Sequence, residues 1–363
     1  MGNGMFRGDP VMRHRGSVLI IAMWALSVLT IFALSLGADS RSKMTFIGKL
    51  GERNKLRLIA VSGVNKAVVS VAAKGNDPQY DVLPELGGAG VSSRFADGMM
   101  DGGKYSIGYQ YYDPSLGETA WWQGVADSES RININKAEYK FISSVIRIAG
   151  GVGKKDADDI AAAIIDWRDT DEFPLMNGAE SHYYLSLKEP YRSKNAEFEV
   201  LQELLLIRGI SEEIYERIAP YVTIYGTGKV NMNTAGETVL GSLGMDKALV
   251  RKIIKYRAGE DRVMGTDDDN VFSSAGASAA ELSQVVPLSP EEVAIISNLS
   301  SQDMISVVSS VFEIKSTARI GRRDQVMEIV CAYDRTKADS GENAVKYWHE
   351  RYYVDPLPQE DDL

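Results

Sequence analysis

The chain has 363 residues, of which 44% are hydrophobic and 25% charged, and a formal net charge of -10. That is enough apolar material for two or three packed domains and excludes a disordered chain, while the acidic balance disfavours nucleic acid and favours cations. The single cysteine, Cys331, excludes an intramolecular disulfide.

Arg7, Arg13 and Arg15 precede Gly16, opposed only by Asp9, and the next 22 residues, Ser17 to Ala38, carry no charge. A secretory signal has an apolar core of roughly 7–15 residues, whereas about 20 cross a bilayer, so the stretch predicts a retained membrane span. Arg13 and Arg15 lie before it and Arg41, Lys43, Lys49 and Arg53 after it, so charge alone does not orient it. From Asp39 to Lys74 there is no proline. Ile47, Leu50, Leu58, Val61, Val64, Val68 and Val71 recur mostly at helical spacing and predict an amphipathic helix continuing the span. As one helix, Ser17 to Lys74 would measure roughly 85 Å.

Residues 76–100 are rich in Gly, Asp and Pro and read as loop. Lys104 to Tyr112 and Ala120 to Ala126 predict two strands joined at Asp113-Pro114, with one of Trp121 and Trp122 in the core and the other on the surface. From Arg131 to about Ser300 helical spacing dominates, over Lys155–Arg168, Glu199–Ile207, Glu212–Ile218 and Lys247–Arg257. Within this region Arg131-Ile-Asn-Ile-Asn135-Lys-Ala137 and Lys229-Val-Asn-Met-Asn233-Thr-Ala235 are alike, and each places an asparagine to cap a following helix. Ser306 to Arg319 and Val326 to Asp334, turning at Gly321 to Asp324, restore strand alternation, with Val345 to Tyr353 as a third strand. These strands are expected to complete the sheet begun near Lys104, which makes the helical region an insertion.

Asp169, Asp171, Asn177 and Glu180 stand at positions 1, 3, 9 and 12 of a calcium-loop spacing, where hard oxygen ligands are wanted. Phe173 and Pro174 replace the usual residue at position 5 and the turn glycine, so the loop is not an EF-hand. Asp166 and Glu172 are further local candidates, or partners of Arg168. Asp267, Asp268 and Asp269 form a second acidic loop that repels itself; Asp267 and Asp269 are its candidate ligands. The only histidines, His14, His182 and His349, form no HExxH helix, and there is no phosphate loop or Gly-x-Ser-x-Gly elbow; no enzyme activity is expected. The segment from Leu240 to Ala248 resembles a DNA-binding helix-hairpin-helix. However, Gly244-Met245-Asp246 and Gly209-Ile210-Ser211-Glu212-Glu213 lack the second glycine and bring acids to the turn. A membrane-anchored DNA-binding or uptake protein is therefore the alternative reading, and nucleic acid is not the expected partner.

A basic leader ending in glycine, followed by an apolar helix that becomes amphipathic, resembles the type IV pilin and pseudopilin signature. The resemblance implies cleavage by a prepilin peptidase between Gly16 and Ser17, with methylation of the new amino terminus. Most such proteins carry glutamate at the fifth mature position, where this chain has Ile21. A subunit with none ahead of it has no amino terminus to pair, so Ile21 points to a filament tip. Ile165-Asp-Trp-Arg-Asp-Thr-Asp-Glu172, Asn177-Gly-Ala-Glu180 and Tyr183-Tyr184, with the paired Asn-x-Asn segments and the Ser306 to Tyr353 ending, resemble the T2SSK family of minor pseudopilins of type II secretion systems. That resemblance implies an α+β fold in which a pilin-like N-terminal helix packs on a small antiparallel sheet interrupted by a large helical, helix-hairpin-helix or SAM-like insertion. It also implies calcium in the insertion, minor pseudopilins I and J as partners, and an inner-membrane subunit with its bulk in the periplasm. The expected division is a leader over 1–16, a membrane segment over 17–38, and amphipathic helix with the first part of the sheet over 39–127. The insertion then occupies 128–300, and the rest of the sheet with a C-terminal tail 301–363.

Overall fold

The structure is a computed structural model that describes residues 15–73, 87–88, 95–113, 118–264, 266, 268–321, 324–338 and 343–355, with backbone alone at 15–17, 87–88, 111–113 and 118–120. It divides into two compact units, Met1–Lys55 and Leu56–Leu363. Helix α1, Arg15–Ala72, contributes to both. In the first unit every large apolar side chain from Val18 to Leu36, Ile21 among them, is exposed. This is the length and composition of a membrane-crossing helix. Gly16 and Ser17 lie in its first turn, and residues 1–14 fall outside the described residues.

In the second unit the remaining turns of α1 bury Leu56, Ile59, Ala60, Val64, Ala67 and Val71, a three-and-four spacing that aligns them on one stripe. That stripe packs on a sheet through Ile107 of β3 (Gly103–Asp113), Phe312, Ile314 and Ala318 of β10 (Val311–Ile320), and Met327, Ile329, Cys331 and Tyr333 of β11 (Gln325–Asp334). Alternate residues of β10 and β11 face the helix because strand side chains alternate sides. Gly63 lets helix and sheet approach, since a Cβ there would lie 2.9 Å from Tyr105 Cδ2. Among the described residues the sheet order is β1 (Gly87–Gly88), β4 (Glu118–Gly124), β3, β10, β11 and β12 (Val345–Val354), with β2 (Gly98–Met100) on β3 and β5 (Ala126–Asp127) on β10. All these pairings are antiparallel. Trp122 is buried and Trp121 half exposed. The chain leaves the sheet at β5 and returns at β10, so the helical region interrupts the sheet.

The insertion repeats one plan. In the first half, β6 (Ile132–Asn133) leads to helices α2 (Tyr139–Gly150) and α3 (Lys154–Arg168), and after α4 (Ser181–Tyr184) and α5 (Glu212–Ile218) the chain returns as β7 (Val222–Thr223), parallel to β6. In the second, β8 (Val230–Asn231) leads to α6 (Glu237–Ser242) and α7 (Lys247–Arg257), and α8 (Ser278–Val285) and α9 (Pro290–Ser301) precede β9 (Ile305–Ser306), parallel to β8. The paired asparagines do the same work in each half. Asn135 bonds the backbone N–H and carbonyl of Phe198, and Asn233 bonds those of Phe272. Arg168 donates to the carbonyls of Ile134 and Ala137, and Arg257 to that of Ala235.

Several local expectations change. The asparagines do not cap helices: Glu138 and Gly236 hold the N-cap positions, without side-chain caps, because the carboxamides are engaged by the returning segments. Ser306 to Arg319 is two strands; the break at 307–310 is where Ser309 and Ser310 bond buried acids. Glu199–Ile207 forms a 3-10 turn over Leu201–Leu206. Short strands β1 and β2 lie where loop was expected. Asp113-Pro114 and the Gly321 to Asp324 turn reach into residues outside those described. In the hairpins, Ser211 and Asp246, which replace the second glycine, accept from the N–H groups of Ile214 and Leu249. They act as helix caps.

Candidate metal centre

Helix α3 ends in Asp166-Trp167-Arg168, with Asp169 as its C-cap. Spacing of three residues puts Asp166 and Asp169 on one face, at the helix end whose dipole favours positive charge. Glu180, at the start of α4, meets them. One carboxylate oxygen from each of the three acids lies within 4.8 Å of the others. Asp166 is fully buried and Glu180 nearly so. Asp166 Oδ2, Asp169 Oδ1 and Glu180 Oε1 are buried and accept no hydrogen bond. Three unsatisfied acceptors facing one another are costly. Burial first, then neighbouring acids, raises Asp169. Burial also raises Asp166, against hydrogen bonds from the Leu175 and Ala179 backbone, and pushes Glu180 up to about 7.

A hard divalent cation removes that cost, because the donors are all oxygens and include neither thiolate nor imidazole. The orphaned oxygens fit such an ion. The intervening loop is tied to the same acids. Asp166 Oδ1 accepts from the Leu175 N–H at 3.1 Å. Gly178 passes so close that a Cβ there would fall 2.7 Å from Asp166 Cγ. Glu180 Oε2 accepts from Ser193 Oγ at 3.1 Å, Ser193 and Ser181 hydroxyls lie 2.7 Å apart, and Ser181 donates to Glu172 Oε1 at 2.9 Å. Asn195, with a left-handed backbone, donates to Glu172 Oε1 and to the Asp171 carbonyl, both at 3.1 Å. Behind the acids, Trp167 packs edge-on against Tyr184, which stacks on Tyr191.

The spacing-based ligand set is therefore redistributed. Asp169 and Glu180 meet, and the residue joining them is Asp166, one helical turn upstream. Asp171 and Glu172 lie outside the three-acid group. Asp171 Oδ1 accepts from the Phe173 N–H, and Glu172 belongs to the hydrogen-bond chain just described. Asn177 is exposed, and its carbonyl accepts from Arg208. Just past Pro174 the Leu175 N–H reaches Asp166 Oδ1, and the turn at Met176 and Asn177 that follows is exposed. Arg168 bonds backbone carbonyls, not Asp166 or Glu172. In the second acidic loop Asp267 is outside the described residues. Asp268 Oδ2 accepts from the N–H groups of Glu260 and Asp261, and Asp269 Oδ1 from Thr266 Oγ1. Among the described residues this loop brings no three acids together. At the end of α7, Lys255 and Ala258 stand where α3 has Asp166 and Asp169. Asn195, Ser181 and Ser193 were not legible as a network, since no spacing rule links them.

All three acids fall within residues 133–227, which match the family described as type II secretion system (T2SS), protein K, first domain. Over this stretch the chain is similar to protein K. The putative type II secretion system protein K of Escherichia coli K12 is 32% identical over 129 residues, 32% of this chain and 39% of that protein. Protein K of Pectobacterium carotovorum subsp. carotovorum is 39% identical over 83 residues, 22% of this chain and 25% of that protein. The chain thus spans a quarter to two-fifths of these curated relatives. In fold it is similar to a chain in the crystal structure of the GspK–GspI–GspJ complex from the enterotoxigenic Escherichia coli type 2 secretion system. There the TM-score is 0.52 at 13% identity, covering 87% of this chain and 98% of that one.

Proposed function

We propose that this chain is a minor pseudopilin of a type II secretion system, seated at the tip of the pseudopilus, where it helps initiate assembly for export across the outer membrane. The observation that carries the reading is the fold shared with nearly the whole of a chain from the GspK–GspI–GspJ complex, joined to the protein K match in the insertion. Prepilin peptidase cuts between Gly16 and Ser17. The exposed apolar turns of α1 hold the subunit in the inner membrane and later pack among neighbouring helices, with Ile21 placing no acid in the bilayer. The bulk of the chain lies in the periplasm, where the insertion blocks further subunits from stacking above it. Its role is structural, not catalytic.

Calcium fits the same reading, held by Asp166, Asp169 and Glu180. Bound there, it supplies the positive charge that lets the buried Asp166 and Glu180 and the half-buried Asp169 share one space. The chain's own part is to fix the acids: α3 presents two, and the Ser193–Ser181–Glu172–Asn195 chain holds the third. The test is co-purification of the tagged full chain with pseudopilins I and J of the same secretion system from detergent extract. A three-component complex is expected; recovery of the chain without either partner overturns the reading.

A further inference from the structure

The crossing between sheet and insertion is built around two buried acids. Asp127 ends β5 and Glu129 follows it; they are 4% and 2% exposed. Asp127 Oδ2 accepts from Asn231 Nδ2 at 3.0 Å, Ser309 Oγ at 2.7 Å and Thr234 Oγ1, and Oδ1 from the Glu129 N–H at 2.7 Å. Glu129 Oε1 accepts from the Thr227 N–H at 2.5 Å and its hydroxyl at 2.6 Å, and Oε2 from the Ser310 N–H at 2.6 Å. Each acid thus ties three crossing segments together: the exit at 126–130, the middle of the insertion at 227–234, and the return at 309–310.

We propose that Asp127 and Glu129 form a pH-sensitive clamp between insertion and sheet, closed when Asp127 is protonated and opening more readily when it is ionised beside Glu129.

Both acids have neutral hydrogen-bond partners. Glu129 accepts from the backbone N–H groups and the hydroxyls of Thr227 and Ser310. Asp127 Oδ2 faces two hydroxyls, which rotate to accept as readily as to donate. All four groups bonded to the Asp127 carboxyl are neutral. The charged groups nearby are engaged elsewhere: Arg131 with Glu313 at 3.3 Å, Lys229 with Asp303 at 2.7 Å, and Arg335 over the Phe312 ring at 5.1 Å. Burial, then the Glu129 charge, pushes Asp127 from 3.8 up to about 7. A cavity of about 410 Å³ lined by Tyr109, Gln110, Asp127, Arg131, Thr234 and Glu237 gives the carboxyl a route for proton exchange.

The sign follows from linkage. Between about 3.8 and 7 the closed form holds a proton that the opened form has released, so opening is promoted as pH rises through this window and becomes pH-independent above it. The test is hydrogen exchange of the detergent-solubilised, calcium-saturated full chain, read in peptides covering 227–234 and 305–310 and corrected for the intrinsic exchange rate. Opening there should rise about tenfold per pH unit, about a hundredfold from pH 5 to 7, then level off. Asp127→Asn should remove the slope. Glu129→Gln, which removes the neighbouring charge and keeps one acceptor oxygen for the crossing segments, should lower the pH at which it levels, and it decides the matter if Asp127→Asn does not fold. A flat wild-type profile, or an unchanged slope in Asp127→Asn, overturns the proposal.

Discussion

Gly178 offers the sharpest test of the three-acid centre. A Cβ at this position would fall 2.7 Å from Asp166 Cγ, and Asp166 is fully buried. Gly178→Ala must therefore rotate the Asp166 carboxylate or lift the loop, whose turn closes through the Gly178 N–H on the Leu175 carbonyl at 2.7 Å. Overpacking of this kind costs about 1–3 kcal/mol. Displacing one ligand of a hard cation should weaken binding about 10–100-fold. At calcium 100-fold above its Kd the wild type gains ~2.7 kcal/mol, whereas a variant bound 10–100-fold more weakly gains only ~0.4–1.4 kcal/mol. At roughly 2 °C per kcal/mol for a large domain, the calcium-dependent rise in Tm should shrink from about 5 °C to about 1–3 °C. The assay is a calcium titration of chelator-treated full chain, followed by calorimetry and thermal melting. Gly276→Ala, where a Cβ meets nothing within 4 Å, is the control. Wild-type calcium affinity in Gly178→Ala, or an equal loss in Gly276→Ala, refutes the reasoning.

Chelator-treated protein should lose stability as pH rises from about 4.5 to 7, because burial lifts Glu180 over that interval and a raised carboxyl is stabilising only while it keeps its proton. Over the same interval the stabilisation added by calcium should grow, since protons and cation compete for the same oxygens; melting curves with and without calcium between pH 4.5 and 8 check both, and a calcium effect that shrinks with rising pH contradicts them. Asn233→Ala removes bonds to the Phe272 N–H at 2.9 Å and to the carbonyls of Phe272 and Val307 at 3.1 and 3.3 Å. Stranding those buried groups should cost about 2–4 kcal/mol in urea unfolding; a loss below about 1 kcal/mol would show that the asparagine does not hold the returning strand.

Legibility differed by element. The periodicity of the later turns of α1 and of β10 was readable because each buries one side and leaves the other less covered, so the apolar spacing records the packing; β11 is buried on both faces. The short helices α6, α8 and α9 were not called individually, since six to twelve residues between polar turns carry little periodic signal. In the centre, Asp169 and Glu180 came from a linear calcium-loop spacing, yet Asn177 does not join them, because it sits in an exposed turn whose carbonyl is held by Arg208.

The sequence by itself determined the apolar helix, the strands that flank the helical region, and the concentration of acids between Asp166 and Glu180. Those features rest on neighbours within a few residues, where composition and period act directly. Only the tertiary structure decided which acids meet and which turn away. Only it showed that the paired asparagines bind returning segments instead of capping helices, and that Asp127 and Glu129 close the crossing with groups about 100 to 180 residues distant. Hydrogen bonds across such separations leave no local period. Their partners are ordinary serines, threonines and asparagines until the fold removes water from around them.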